Sequence, residues 1–239
     1  MSSACLPVAI LAGGLATRLR PLTTATPKAL LDVNGEPFIA HQLRLLHRQG
    51  IRRVVLCVGF LGEMIRAVVG DGRRFDLDVA YSFDGPSLLG TAGALRQARD
   101  LLGHAFFVLY GDSYLRCDFD AVQRAFEQSA CAGLMTVYRN DGKFDRSNVE
   151  FIDGRIIMYD KRQSSERMRH IDYGLGLLGD AAIDAVPLGQ PYDLASLYQH
   201  LLARGDLAAY EVRERFYEIG SADGLEDLRE LLKFEEMST

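Results

Sequence analysis

The stretch VAILAGGLATRLRPLTTATPKALLDVNGEPFI, residues 8–39, decides how the rest of the chain reads. Its first four residues, VAIL at 8–11, form a strand with no polar face, so both sides must be covered. The strand runs into Gly13 and Gly14, and then into Thr17, Arg18, two prolines and Lys28. Glycines let backbone N–H groups approach a phosphate closely, and the two cations supply charge to neutralise it. The loop therefore reads as the seat of an anionic ligand. It is not a P-loop, because no Gly-Lys-Ser/Thr follows, and it lacks the GxGxxG of dinucleotide-binding proteins. Asp32 lies near the offset of a ribose-binding acid, but Pro21 and Pro27 interrupt the helix that such a fold places here.

Outward from this stretch, strand-length apolar runs alternate with helix-period segments. The runs are VVLCV at 54–58, DVAY at 78–81 and FFVLY at 106–110. Between them, FIAHQLRLLHRQ sets Ile39, Leu43 and Leu46 on one helical face, with Pro37 before it and Gly50 after it, and GEMIRAVV and TAGALRQARDLL repeat the pattern. This alternation predicts an α/β fold with a mostly parallel central sheet between two layers of helices. After Leu134 the rhythm changes: NVEFIDGRIIMYDK is two strand-like runs around Asp153-Gly154, a dipeptide suited to a tight hairpin. An antiparallel lobe is expected there, within one domain whose halves are 1–133 and 134–239. LASLYQHLLARG reads as a helix with a glycine cap, and AAYEVRERFYEI as a strand pair. Ser221 is placed to cap a last helix presenting Leu225, Leu228 and Leu232.

The chain has 239 residues, 27 basic against 32 acidic, a formal charge of −5, and 48% hydrophobic residues. Folding at this size hides roughly 70% of the extended chain's surface, enough for a full core. The acidic balance argues against a nucleic-acid or anionic-membrane binder, since both need a positive excess. Cys5, Cys57, Cys117 and Cys131 form no CxxC pair and no compact disulfide framework, and the five histidines show no metal-ligand spacing. No apolar run approaches the ~20 residues of a membrane span, and Met1 to Pro7 is too short and polar for a signal peptide. A cytoplasmic enzyme with small-molecule partners is the expectation.

LAGGLATRLRPLT followed by TPKALLDVNGEPFI resembles the N-terminal motif of the sugar-1-phosphate nucleotidylyltransferases. Ala16 stands where the family's core motif has glycine, with Thr17 and Arg18 still in register. The resemblance implies a Rossmann-like, three-layer nucleotidyltransferase fold of the GT-A-like type, with residues 1–133 mainly binding nucleotide and 134–239 mainly binding sugar phosphate. It implies that Leu11, Ala12, Gly13, Gly14 and Thr17 wrap a nucleoside triphosphate, that Arg18 holds its phosphates and that Lys28 faces the reacting ones. LLGTAGALRQA is similar to the family's base-contacting stretch, which makes Gly90 and Thr91 nucleotide-binding candidates. Asp112, in FFVLYGDSYL, falls where the family has its principal Mg²⁺ ligand, and Glu218 where it has a second metal acid. MYDK resembles the family's acid-lysine pair, giving Asp160 the sugar hydroxyls and Lys161 the sugar phosphate, while HIDYGLGLL places Asp172 and Gly174 beside the sugar.

The implied reaction joins a nucleoside triphosphate to a sugar 1-phosphate with release of pyrophosphate, using Mg²⁺. The LGTAGAL stretch and the short chain look most similar to guanylyltransferases acting on mannose or heptose 1-phosphate. Uridylyl or cytidylyl transfer, transfer to phosphocholine, and a catalytically silent nucleotide-sugar binder are the alternatives. The family often forms dimers or larger homo-oligomers, and after the Ser221 helix no residues remain for the repeat domain of larger relatives.

Overall fold

A computed structural model describes residues 5–14, 19 and 23–237; Thr17 and Arg18 lie outside the described residues. In chain order the first half comprises β1 (Val8–Leu11), the short hairpin strands β2 (Asp32–Val33) and β3 (Glu36–Pro37), α1 (Phe38–Arg48), β4 (Arg53–Val58), α2 (Gly62–Val69), β5 (Asp78–Phe83), α3 (Gly90–Gln97), α4 (Arg99–Leu102), β6 (Ala105–Tyr110), β7 (Ser113–Leu115) and α5 (Phe119–Ser129). The second half comprises β8 (Gly133–Arg139), β9 (Val149–Ile152), β10 (Arg155–Tyr159), β11 (His170–Gly179), α6 (Asp180–Asp184), α7 (Leu194–Ala203), β12 (Leu207–Val212), β13 (Phe216–Glu218) and α8 (Ala222–Met237).

The expected parallel strands form the centre of the sheet in the order β5-β4-β1-β6, all parallel. β11 then lies antiparallel between β6 and β8, and β12 joins β8 in parallel. β9 and β10 attach beside the start of β11 through the pairing of Val149 with His170. Among the described residues this makes one mixed sheet of nine strands. Alternate strand residues serve opposite layers. Val8 and Ile10 of β1, with Val54, Leu56 and Val58 of β4, pack against α1, α2 and α5, while Ala9, Val55 and Cys57 pack against α3, α4, α6 and α7. That is the three-layer sandwich the doubly buried apolar runs require. A third cluster joins Leu225, Leu228 and Leu232 of α8 to Val33, Phe38 and Tyr114. Among the described residues no helix is long and apolar enough to cross a membrane.

Local signals were met in detail. Asp153 and Gly154 both take positive φ, 49° and 78°, the type I′ geometry that joins β9 to β10. Asp118 caps α5 by accepting from the Ala121 N–H, and Ser221 Oγ accepts from Gly224 N–H at the start of α8. Two readings change. TAGALRQARDLL is not one helix but α3 and α4, interrupted at Ala98. AAYEVRERFYEI does hold two strands, but they do not pair with each other: β12 lies beside β8, and β13 turns away to pair antiparallel with β7. The intervening Arg213, Glu214 and Arg215 carry the chain from the main sheet to this two-stranded ribbon. The ribbon is what delivers Glu218 to the site described next.

Candidate active site

The carboxyl ends of β1 and β6 open onto a cavity of about 750 Å³. Open α/β sheets bind ligands at this edge because strand-to-helix loops leave backbone groups there unpaired. Leu11, Ala12, Gly13 and Gly14 form one wall. β6 approaches β1 so closely at its end that a Cβ on Gly111 would lie 2.3 Å from the Leu11 carbonyl oxygen, and the Gly111 N–H donates to that same oxygen at 3.1 Å. Only glycine fits, and its closeness fixes the direction in which Asp112 leaves the strand.

Asp112 is held from two sides. Its backbone carbonyl accepts from Ile219 N–H at 2.9 Å, and its Oδ2 accepts from Lys28 Nζ at 2.7 Å. Lys28 opens a short 3₁₀ turn after Pro27, and the amide of Gln42, on α1, donates to the carbonyls of Ser113 and Tyr110 at 2.6 and 3.2 Å, bracing the turn that carries Asp112. Pairing of Ser113 with Glu218 in the β7-β13 ribbon brings the second acid to the same cavity. The two acids assigned together from sequence thus line one space.

Beside the start of α3 the cavity is lined by Asp84, Leu88, Gly90 and Thr91. Tyr192 caps α3 here, its carbonyl accepting from the N–H groups of Ala92 and Gly93 at 2.9 and 3.1 Å. The Thr91 hydroxyl donates to Asp193 at 2.7 Å and accepts from Leu194 N–H at 2.7 Å, so it ties α3 to the start of α7. Asp84, which the sequence analysis did not single out, points its carboxylate toward Gly13: a Cβ there would lie 3.5 Å from Asp84 Oδ2. Burial raises the Asp84 pKa above the usual carboxylate value, and the hydrogen bond from Leu89 N–H, at 3.2 Å, only partly counters this.

Lys161, Asp172 and Gly174, with Asn148 and Tyr110, line the cavity as well. Asp172 is buried, at 3% exposure, and its oxygens accept from Tyr110 and Tyr159 hydroxyls at 2.7 and 3.0 Å and from Gly174 N–H at 3.1 Å. Asn148 Oδ1 in turn accepts from the Asp172 N–H at 2.9 Å. Lys161 Nζ lies 3.3 Å from Asp172 Oδ2 and donates to the Tyr110 hydroxyl at 2.9 Å. Burial pulls the Lys161 pKa down, but the Asp172 charge and the Tyr159 phenol outweigh it and hold the ammonium above the ordinary lysine value. Asp160 stands apart. It does not line the cavity, and its carboxylate accepts from the N–H groups of Arg162 and Gln163 at 2.7 and 3.0 Å, which lower its pKa.

Of the residues singled out from sequence, the cavity unites Leu11, Ala12, Gly13, Gly14, Lys28, Gly90, Thr91, Asp112, Lys161, Asp172, Gly174 and Glu218. It adds Asp84, Tyr110, Asn148 and Asp193, of which Asp193 carries the local signal of a helix cap, its side chain accepting from Ala195 N–H at the start of α7.

Known proteins share the sequence and the fold of this chain. The chain is 29% identical over 217 residues to mannose-1-phosphate guanyltransferase beta-B of Xenopus laevis, covering 88% of this chain and 60% of that one. It is 42% identical over 113 residues to N-acetylmuramate alpha-1-phosphate uridylyltransferase of Neisseria meningitidis, covering 47% and 49%. It thus spans about half to three fifths of the length of these relatives. The fold matches that of HddC from Yersinia pseudotuberculosis, solved with GMP-PN, at a TM-score of 0.79 and 23% identity, covering 95% and 99% of the two chains. Residues 8–144, which carry the glycine-rich wall, Lys28 and Asp112, match the nucleotidyl transferase family model, and the chain belongs to that family.

Proposed function

We propose that this protein transfers a nucleotidyl group from a nucleoside triphosphate to a sugar 1-phosphate. The observation that carries the reading is the set of groups gathered on one cavity: a glycine-lined wall, the Lys28–Asp112 pair, and Lys161 over Asp172. A sugar phosphate oxygen attacks the α-phosphorus, the α–β bridging bond breaks, and its electron pair leaves on pyrophosphate. The nucleophile needs no general base, because a phosphate monoester's second pKa is about 6 and the oxygen is already ionised near neutrality. What the protein supplies is alignment of two polyanions and neutralisation of their charge. Lys161 receives the sugar phosphate, with Gly174 beside the sugar. Lys28, with Arg18 from the motif, stabilises the departing pyrophosphate.

Among the described residues no three His, Cys, Asp or Glu side chains gather as a metal group. Asp112 and Glu218 are nonetheless two hard carboxylates on one cavity, and magnesium characteristically takes one or two carboxylates with phosphate and water completing its shell. Bound there with the nucleotide, Mg²⁺ would supply charge neutralisation to the phosphates.

For the base we assign guanine, with mannose or heptose 1-phosphate as acceptor. Asp84 supports this, since a carboxylate accepts and guanine alone of the common bases presents an amino group next to a ring N–H. The guanyltransferase relative points the same way. Uridylyl transfer is the second reading, favoured by the 42% identity to the uridylyltransferase over 113 residues. The deciding experiment is pyrophosphate release with Mg²⁺ across GTP, UTP, CTP, ATP and dTTP against mannose, glucose, heptose and amino-sugar 1-phosphates, with phosphocholine included. GTP turnover with a mannose or heptose phosphate is the expected result, UTP turnover moves the assignment to the second reading, and silence across the panel with nucleotide still bound overturns both.

A further inference from the structure

We infer that Tyr110 is a positioning residue that aims Lys161 at the phosphate of the sugar substrate, an assignment that rests on the transfer reaction proposed above. Tyr110 is the last residue of β6, two positions before Asp112, and is paired in register with Leu11 of the glycine-lined wall. Its side chain lines the cavity together with Lys161 and Asp172. Its hydroxyl donates to Asp172 Oδ2 at 2.7 Å and accepts from Lys161 Nζ at 2.9 Å, and the ammonium lies 4.5 Å from the ring centroid.

The partners assign the proton positions. An ammonium can only donate, so the Tyr110 oxygen accepts from Lys161 and turns its own proton to Asp172, which also accepts from Tyr159. An ammonium has three N–H donors on a stem with four rotatable bonds, and a contact with one carboxylate leaves it free to swing. Tyr110 and Asp172, with the Tyr159 phenol beside them, are fixed acceptors that together define its orientation. Lys161 is 39% exposed at the side chain while Asp172 is 3% exposed, so the charged tip meets the cavity and the counter-charge sits behind it. The same tyrosine is chained through Gly111 to Asp112, which links the placement of Lys161 to that of the acid at the reacting phosphates.

Tyr110→Phe removes the hydroxyl and keeps the ring. The expected result is a KM for the sugar 1-phosphate raised about tenfold, with the KM for the nucleoside triphosphate unchanged within twofold, and the same selective loss in calorimetric binding of mannose 1-phosphate and glucose 1-phosphate. In a Lys161→Met background the Tyr110→Phe change should add nothing to the loss, because groups that act as one unit are not additive. Replacement of Tyr110 by 3-fluorotyrosine, which keeps the shape but weakens the phenol as an acceptor, should raise the same KM in the same direction and serves if Tyr110→Phe fails to fold. Parallel changes in both KM values, no change in either, or additive losses with Lys161→Met would overturn the assignment while leaving the transfer reaction standing. A wild-type protein that turns over no sugar 1-phosphate would overturn the reaction itself.

Discussion

Lys28 and Asp112 come from segments 84 residues apart and meet at a single oxygen, Nζ lying 2.7 Å from Oδ2. The lysine is thereby engaged with the acid assigned to the metal, and the side chains are only 16% and 29% exposed. A divalent cation bound to Asp112 would compete with that ammonium for the charge of one carboxylate.

Replacing Lys28 by Met should therefore tighten binding of Mn²⁺ to the nucleotide-free protein by roughly fivefold, the equivalent of about 1 kcal/mol for a partly exposed ion pair. The same variant should lose turnover. Electron paramagnetic resonance titration of Mn²⁺ measures the first effect directly, and unchanged or weaker binding would show that the pair does not compete with the ion.

Asp112→Asn should reduce pyrophosphate release by roughly a thousandfold or more, as expected for loss of a group that neutralises reacting charge. It should leave the fold in place, because the contact that anchors this turn to β13, from Ile219 N–H, uses the backbone carbonyl of Asp112 and not its side chain. A melting temperature within about 3 °C of wild type, alongside lost activity, is the expected pair of results. Full activity would remove Asp112 from the metal site.

Asp84 offers a test through pH. Burial raises its folded pKa above the unfolded value near 3.8, so the folded state holds its proton more tightly than the unfolded state. Stability therefore falls as pH rises from the unfolded value through the raised one, and stays lower above it. Asp84→Asn should melt higher than wild type at pH 7, with the advantage disappearing near pH 3, while selection of GTP over the other nucleotides weakens. Thermal melts from pH 3 to 8 check the first point and the nucleotide panel the second. A variant less stable at pH 7 would contradict the burial argument.

Much of the scaffold was legible because doubly buried strands admit few residue types. VVLCV and FFVLY could hardly be anything else, and the hairpin turn at Asp153-Gly154 and the caps at Asp118 and Ser221 are local chemistry that acts within four residues. The motif wall, Lys28, Asp112 and Glu218 were legible through family resemblance, and the cavity holds them together. Tyr110 and Asp84 were not legible. In FFVLY a terminal tyrosine reads as one more core residue, and its polar partners lie 62 and 51 residues onward, on β11 and just after β10. Asp84 in DGPS reads as a turn former, and only the approach of Gly13 and Leu89 makes it a site residue. Asp160 errs in the opposite sense: beside Lys161 it resembles a functional pair, yet the chain turns between them, so one side chain caps the following loop while the other enters the cavity. Likewise the two strands within AAYEVRERFYEI were visible, but their partners, β8 and β7, are set by the whole sheet.

Strands β6 and β11 are antiparallel neighbours inside a single sheet, with β1 on one flank and β8 on the other. Interior strands keep a spacing of about 4.8 Å and cannot slide without breaking their ladders. Asp112 and Asp172 both lie past the end of that ladder, whose last pair is Leu109 with Leu175, so the ladder is a ruler made of backbone that anchors the two segments carrying them. The hairpin β9-β10, by contrast, joins β11 among the described residues only through Val149 and His170, so it hangs from the ruler and is no part of its length. On the transfer reaction proposed above, exchanging that hairpin for a relative's with Lys161 retained should alter acceptor choice and leave the ladder intact.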